Sequence, residues 1–177
     1  VQKQKQIHHT LGIIMARTLS CNFYVIAAFL NQNLPEARNP RDSLWFKGNK
    51  LYSYQSHLAT IMSNGTLFIN FELIGYSNTT SRHIASLRHT AGIKTEVFTI
   101  PLDLKPIEVL NWYWNQIEVL ISKYLRARSH KDTHKAAIKA TLSTIEQYVD
   151  CMELDRTSPE YIHKHTLTKQ LFKHQIL

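Results

Sequence analysis

Two apolar seams run through the C-terminal half of the chain at alternating steps of three and four. The first is Ile107, Leu110, Trp114, Ile117, Ile121 and Tyr124; the second is Ile138, Thr141, Ile145, Tyr148 and Met152. A strand cannot keep such a series on one face, because its side chains alternate with a period of two, whereas a helix lines them up. Both seams have coiled-coil spacing, and the link Ser-His-Lys-Asp-Thr-His is so short that the second helix must return along the first. A long antiparallel αα-hairpin over residues 104–155 is therefore predicted.

Upstream the period changes. Phe23, Ile26, Ala27 and Leu30 share one helical face, so a helix is predicted from Cys21 to Asn33, ending before Pro35 because the residue ahead of a proline is pushed out of the helical region. Leu44–Phe46, Leu51–Tyr54, Leu58–Met62 and Thr66–Phe71 read as strands of an antiparallel meander, broken by Gly48-Asn49 and by Asn64-Gly65. The Asn-Gly pair predicts a type I′ hairpin turn, since both residues tolerate a positive φ. A short helix follows, with Asn78 or Thr79 as N-cap and Gly92 as its stop, and then a strand over Val97–Ile100. The predicted fold class is α+β: an N-terminal helix, a small antiparallel meander with a short capped helix, then the helical hairpin. The expected divisions are an N-terminal extension over 1–14, an α+β core over 15–103, the hairpin over 104–155 packed on it, and a basic tail over 156–177 that forms a last short helix or stays loose.

Composition excludes several classes. Of 177 residues 44% are hydrophobic and 19% charged, enough apolar surface for a folded core. The longest apolar run, Phe23–Leu30, has eight residues, far short of the roughly 20 a membrane helix requires. Cys21 and Cys151 are distant and lack a CxxC spacing, which argues against a disulfide scaffold or zinc ribbon and for a reducing, cytoplasmic setting. The start of the chain lacks the pattern of an export signal. No Walker loop, GxGxxG or GxSxG motif is present, so neither a nucleotide-dependent enzyme nor a serine hydrolase is expected. The ten histidines do not make HExxH or another ligand spacing, and neither a metal nor a cofactor is expected.

The net charge of +8 favours acidic partners, and its placement is more informative than its size. Residues 104–155 carry seven basic and seven acidic groups, yet Lys123, Arg126, Arg128, Lys131, Lys135 and Lys139 gather about the hairpin turn with only Asp132 among them. Bases at the start of the second helix oppose its macrodipole, so helix stability did not select them. This tip is a candidate phosphate contact; the plainer reading is a solvated turn. A second candidate is Tyr76–His83, where Thr79, Thr80 and Ser81 open a helix whose first amides favour anions, with Arg82 beside them. Ordinary N-capping explains most of the same residue types. His57 and His83, if brought together, would supply the base and acid of metal-independent phosphodiester cleavage.

Asn31-Gln32, Arg38-Asn39, the run Leu44–Ala59 with Tyr52-Ser53-Tyr54 and His57, the segment Tyr76-Ser77 with Thr79, Thr80 and His83, and Arg126 with Arg128 together resemble a family of small uncharacterised proteins encoded by bacteriophages and related mobile elements. The likeness covers about residues 22–155. It departs at Phe29, where many relatives carry Trp, and finds no counterpart for 1–14 or 157–177. It implies a small α+β domain in a phage or plasmid setting, and no particular reaction.

The leading expectation is thus a non-enzymatic accessory protein that binds nucleic acid through backbone phosphates, in the host cytoplasm. The alternatives are a modulator docking on an acidic host protein surface, a phosphodiesterase using His57 and His83, and a virion component.

Overall fold

The computed structural model describes residues 17–93, 95–158, 161–166 and 168; the expected extension over 1–14 and the end of the tail lie outside them. The fold is α+β. Its elements are β1 (Arg17–Thr18), α1 (Asn22–Asn31), β2 (Glu36–Arg38), β3 (Leu44–Lys47), β4 (Lys50–Ser53), β5 (Ser56–Ile61), β6 (Leu67–Asn70), a 3₁₀ turn at Phe71–Leu73, α2 (Asn78–Ala91), β7 (Val97–Ile100), α3 (Pro106–Arg126) and α4 (Lys131–Cys151). The seven strands follow one another across the sheet in chain order. β1 and β2 pair in parallel and β2 to β5 antiparallel, so the sheet is mixed and larger than the expected meander.

The chain divides into two compact units, one holding the described residues up to Leu67 together with Leu73–Glu96, the other Phe68–Glu72 and the described residues from Val97 onward.

In the first unit the alternation along each strand decides which side chains are buried. Leu44 and Phe46 on β3, Leu51 and Ser53 on β4, and Leu58, Ala59 and Ile61 on β5 are buried. Val25, Ile26 and Phe29 of α1 and Ile84 and Leu87 of α2 complete this core, with Phe29 meeting Phe46 at a ring distance of 5.8 Å. Trp45 and Tyr52 point away from that core and stack at 4.1 Å, with His57 next along the row at 5.3 Å from Tyr52. α1 ends where Gln32 turns left-handed at φ +49 and its side-chain amide donates to the Phe29 carbonyl at 2.6 Å.

Two turns differ from expectation. The Asn64-Gly65 turn is not type I′: only Gly65 takes a positive φ, +86. Its loop has three residues, closed by Gly65 N–H donating to the Met62 carbonyl at 2.9 Å and Met62 N–H to that of Thr66 at 2.8 Å. Such a loop needs a left-handed residue at its last position only. Asn64 instead spends its side-chain oxygen on the Thr66 amide at 3.0 Å. The second difference is at Tyr54, expected on a strand beside Tyr52. β4 stops at Ser53, and Tyr54 occupies the tight β4–β5 turn at φ +53. α2 is capped by Ser77 rather than by Asn78 or Thr79, and Gly92 ends it as predicted.

In the second unit α3 opens with Pro106 at its first position, and Lys105 N–H donates to Glu108 Oε2 at 2.7 Å. Leu110, Trp114, Ile117 and Ile121 of the first seam and Ile138, Ile145 and Tyr148 of the second are buried; Tyr124, Thr141 and Met152 are half-buried. Ile107 is a correction, 51% exposed in the opening turn. Val109 and Tyr113 are buried instead, because α3 covers a broader face than a two-position seam. Tyr148 centres this core, with the rings of Phe98, Tyr113 and Phe68 at 5.5, 5.6 and 6.3 Å. Residues 161–166 are helical, and the Tyr161 ring lies 6.1 Å from that of Trp114.

Candidate functional site

Ser53 ends β4 with its side chain directed into the core, where an unpaired hydroxyl would cost free energy. α2 satisfies it. Ser53 Oγ lies 3.2 Å from Thr80 Oγ1 and 2.9 Å from His83 Nδ1, and all three residues are buried. Ser77 extends the chain, its hydroxyl donating to Thr80 Oγ1 at 3.0 Å while its Oγ accepts the Thr80 amide at 3.1 Å.

Ser77 gives its proton to Thr80. When Thr80 in turn gives its own to Ser53, and Ser53 to His83 Nδ1, the ring is the acceptor that ends the chain. An imidazole that accepts at Nδ1 carries its proton at Nε2 when neutral. Burial lowers the His83 pKa, which favours the neutral ring.

His83 lies in the wall of a cleft of about 630 Å³. The other walls are the start of α1 from Ser20 to Phe23, the β2–β3 loop with Asn39, Pro40, Arg41 and Ser43, the turn at Tyr54, and Thr79 and Arg82 of α2. The lining contains two arginines and no carboxylate. Asn39 fixes the loop: its Nδ2 donates to Asn22 Oδ1 at 2.6 Å and Ser43 Oγ at 2.9 Å, while its Oδ1 accepts the Ser43 amide at 2.9 Å. Tyr54 N–H donates to the Ser43 carbonyl at 2.9 Å, and Trp45 Nε1–H donates to the Tyr54 carbonyl at 2.6 Å, which holds the turn in its left-handed form. Cys21, at the N-cap of α1, makes no side-chain cap.

The residues singled out by sequence are thus partly gathered and partly dispersed. Thr79, Arg82, His83, Tyr54 and Asn39 share the cleft, and Ser53 and Thr80 support it from below. The expected Thr79–Ser81 anion cradle is not formed as such. The Thr80 amide is taken by Ser77 Oγ, the Ser81 amide donates to the Ser77 carbonyl at 2.9 Å, and Ser81 lines a separate depression with Ile74 and Arg88. His57 and His83 do not meet. His57 pairs with Tyr52 in the β4–β5 register, so it stands on the face opposite Ser53 and His83, its Nε2 2.9 Å from Thr60 Oγ1. Burial, reinforced by the Lys50 charge, lowers its pKa. The acid–base pair for phosphodiester cleavage is therefore not assembled. Asn31 and Gln32 end α1, Arg38 pairs with Asp42 at 3.4 Å, and Tyr76 is exposed. Among the described residues no cluster of metal-ligand type occurs, and no helix is long and apolar enough to cross a membrane.

At the hairpin tip Lys123, Arg126, Arg128, Lys131 and Lys139 are exposed and Lys135 half-buried. Among the described residues the ion pairs are Arg38 with Asp42, Arg156 with Asp150 and His165 with Glu146, so the tip cations are not neutralised by the protein's own carboxylates. Lys131 Nζ sits 5.4 Å from the centre of the Tyr124 ring.

Sequence reading missed Asn22, Asn39–Ser43 as a bonded loop, and Arg41. The Asn39-Pro40-Arg41-Asp42 stretch carries turn-forming residue types, but nothing in it signals which charge faces the cleft. The architecture just described is that of an α+β domain carrying a helical hairpin. Within it, residues 24–99 match the model of a family of unknown function, DUF8033, over the segment that contains most of the cleft. No curated protein and no solved structure matches the chain.

Proposed function

We propose that this protein binds nucleic acid without cleaving it, gripping backbone phosphates with the hairpin tip, as an accessory protein of phage or mobile-element type. The observation that supports this most directly is the set of six cations around the α3–α4 turn that no internal carboxylate neutralises. Flexible lysines and exposed arginines suit phosphate contacts, which position a strand without reading its sequence. The α3–α4 turn is short, so these charges project from one end of the hairpin and meet a polyanion together. The separation of His57 from His83 favours binding over cleavage.

The test is binding of labelled single- and double-stranded oligonucleotides as salt is raised. Phosphate binding releases counterions, so affinity falls with a log–log slope of about −0.9 per phosphate neutralised on duplex and about −0.7 on single strands. Replacing Arg126, Arg128 and Lys131 by Gln flattens that slope. Absence of binding at low salt defeats the reading, and capture of an acidic host protein from nuclease-treated lysate would favour the modulator alternative.

A further inference from the structure

We propose that the cleft between the start of α1, the β2–β3 loop and α2 is a binding site for a terminal phosphate, the phosphomonoester of a nucleotide or of a strand end, with His83 Nε2–H as its central hydrogen-bond donor. The inference rests on the first unit alone and stands apart from the hairpin tip.

Three independent features converge there. The His83 side chain is 2% exposed, its Nδ1 is held by Ser53, and among the described residues nothing bonds its Nε2, which belongs to a residue of the cleft wall. That nitrogen opens on the cleft, where it has no partner among the described residues and is placed to meet a ligand oxygen. Arg41 and Arg82 supply two exposed guanidiniums from different elements, and no acidic residue in the lining opposes them. Guanidinium forks match phosphate oxygens in pairs, and two of them balance a dianion. The first turn of α1, without a side-chain cap at Cys21, adds amides of the right polarity.

The size of the cleft points to more than an inorganic ion. At about 630 Å³ it falls among cavities that take whole small molecules. Tyr54 and Phe23, both more than half exposed, stand at its edge as flat apolar surfaces on which a base can stack. The ligand chemistry is therefore a phosphomonoester attached to an aromatic base, free or at the end of a strand.

The proposal is tested by calorimetry of the full chain with adenosine 5′-monophosphate against adenosine, and by anisotropy of a 3′-labelled single strand with and without a 5′-phosphate. The expected result is a preference for the phosphorylated form of about tenfold or more in at least one pair, as for a site built around a polar group that the analogue lacks. Preference in both pairs identifies the shared phosphate; preference in the strand pair alone identifies a strand end. Arg41→Ala with Arg82→Ala, both at exposed positions, abolishes the preference, and His83→Asn, which keeps the Ser53 contact and removes the outward donor, reduces it. If His83→Asn does not fold, the arginine variant carries the test by itself. Equal affinity for phosphorylated and unphosphorylated forms overturns the proposal, as does a preference that survives the double arginine substitution. Salt-sensitive strand binding without any 5′-phosphate preference would leave the tip reading standing and remove this one.

Discussion

Ser53 Oγ lies 2.9 Å from His83 Nδ1, a bond that joins the last residue of β4 to the middle of α2 inside the core of the first unit. It joins two residues 30 apart in the chain and holds in place the ring that faces the cleft. Ser53→Ala leaves both the Thr80 hydroxyl and His83 Nδ1 short of a partner in a site closed to water. The expected loss is about 1–3 kcal/mol, read from urea unfolding, with Ser56→Ala on the adjoining strand as control. A loss no larger than the control's would mean that the network is not a structural element.

The same burial makes stability depend on pH in a defined direction. His57 and His83 are both lowered from the ordinary imidazole value, by desolvation first and, for His57, by Lys50 next. The folded rings therefore resist protonation more than the unfolded ones. Their contribution is complete above the unfolded pKa of about 6.5 and declines as pH falls through it, because the unfolded chain takes up the protons first. The urea midpoint is expected to drop between about pH 7.5 and about pH 5.5, and the drop to shrink in a His57→Gln variant. A midpoint that rises on acidification contradicts the sign.

Tyr54 holds a left-handed φ of +53, a conformation that costs a non-glycine residue about 1–2 kcal/mol. The bonds that keep it there, from Trp45 to its carbonyl and from its amide to Ser43, use only Tyr54 backbone. Tyr54→Gly keeps both and removes the strain, against about 0.5–1 kcal/mol of added backbone entropy in the unfolded chain. Stability is expected to stay level or rise by up to about 1 kcal/mol, while binding in the cleft weakens because the ring is gone. Tyr54→Val, β-branched at the same φ, is expected to destabilise. Thermal melts of the two variants beside the parent decide this, and a destabilised glycine variant would show that the ring is needed for folding.

Much of the fold could be read from periodicity alone. The 3–4 seams announce the hairpin because burial of one stripe is the whole stabilising principle of two long helices. Gly92 marks the end of α2 because only its φ of +70 suits that cap. The cleft was much less readable. Thr79, Arg82 and His83 are near one another in sequence, but Arg41 reaches the same cavity through a loop whose path depends on Asn39 side-chain bonds, one of them to Asn22 at the start of α1. His57 and His83 illustrate the limit. α2 covers the sheet face that carries Ser53, whereas the β4–β5 register, irregular between Leu51 and Tyr52, puts His57 beside Tyr52 on the other face.

The hairpin tip separates stability from binding. Arg126 and Arg128 are exposed and, among the described residues, make no ion pair with internal acids, so Arg126→Gln with Arg128→Gln is expected to change stability by no more than about 0.5 kcal/mol. The same pair should lower the salt dependence of strand binding by about one unit of slope for each phosphate that is no longer neutralised. Unfolding curves and salt titrations on one preparation make the comparison. A stability loss well beyond that size would show that these arginines belong to the fold.

Tyr113 offers a change expected to stabilise the protein. Its side chain is buried, and among the described residues its hydroxyl has no hydrogen-bond partner. Desolvation, with the neighbouring Tyr148 hydroxyl adding to it, pushes its pKa well above the usual phenol range, so the group stays neutral. The ring itself is well placed, 5.6 Å from Tyr148 and 5.0 Å from Trp112, and its area contributes to the hairpin core whether or not oxygen is attached. A buried unpaired hydroxyl carries a desolvation cost of about 1–3 kcal/mol, and the cavity left by one oxygen returns part of it. Tyr113→Phe is therefore expected to raise unfolding stability by about 1 kcal/mol. The contrast is Tyr148→Phe: that hydroxyl lies 3.5 Å from the Pro106 carbonyl and has an acceptor to lose, so no gain is expected. Equilibrium unfolding of the two variants ranks them, and a Tyr113→Phe protein less stable than the parent would mean that the hydroxyl finds a partner after all.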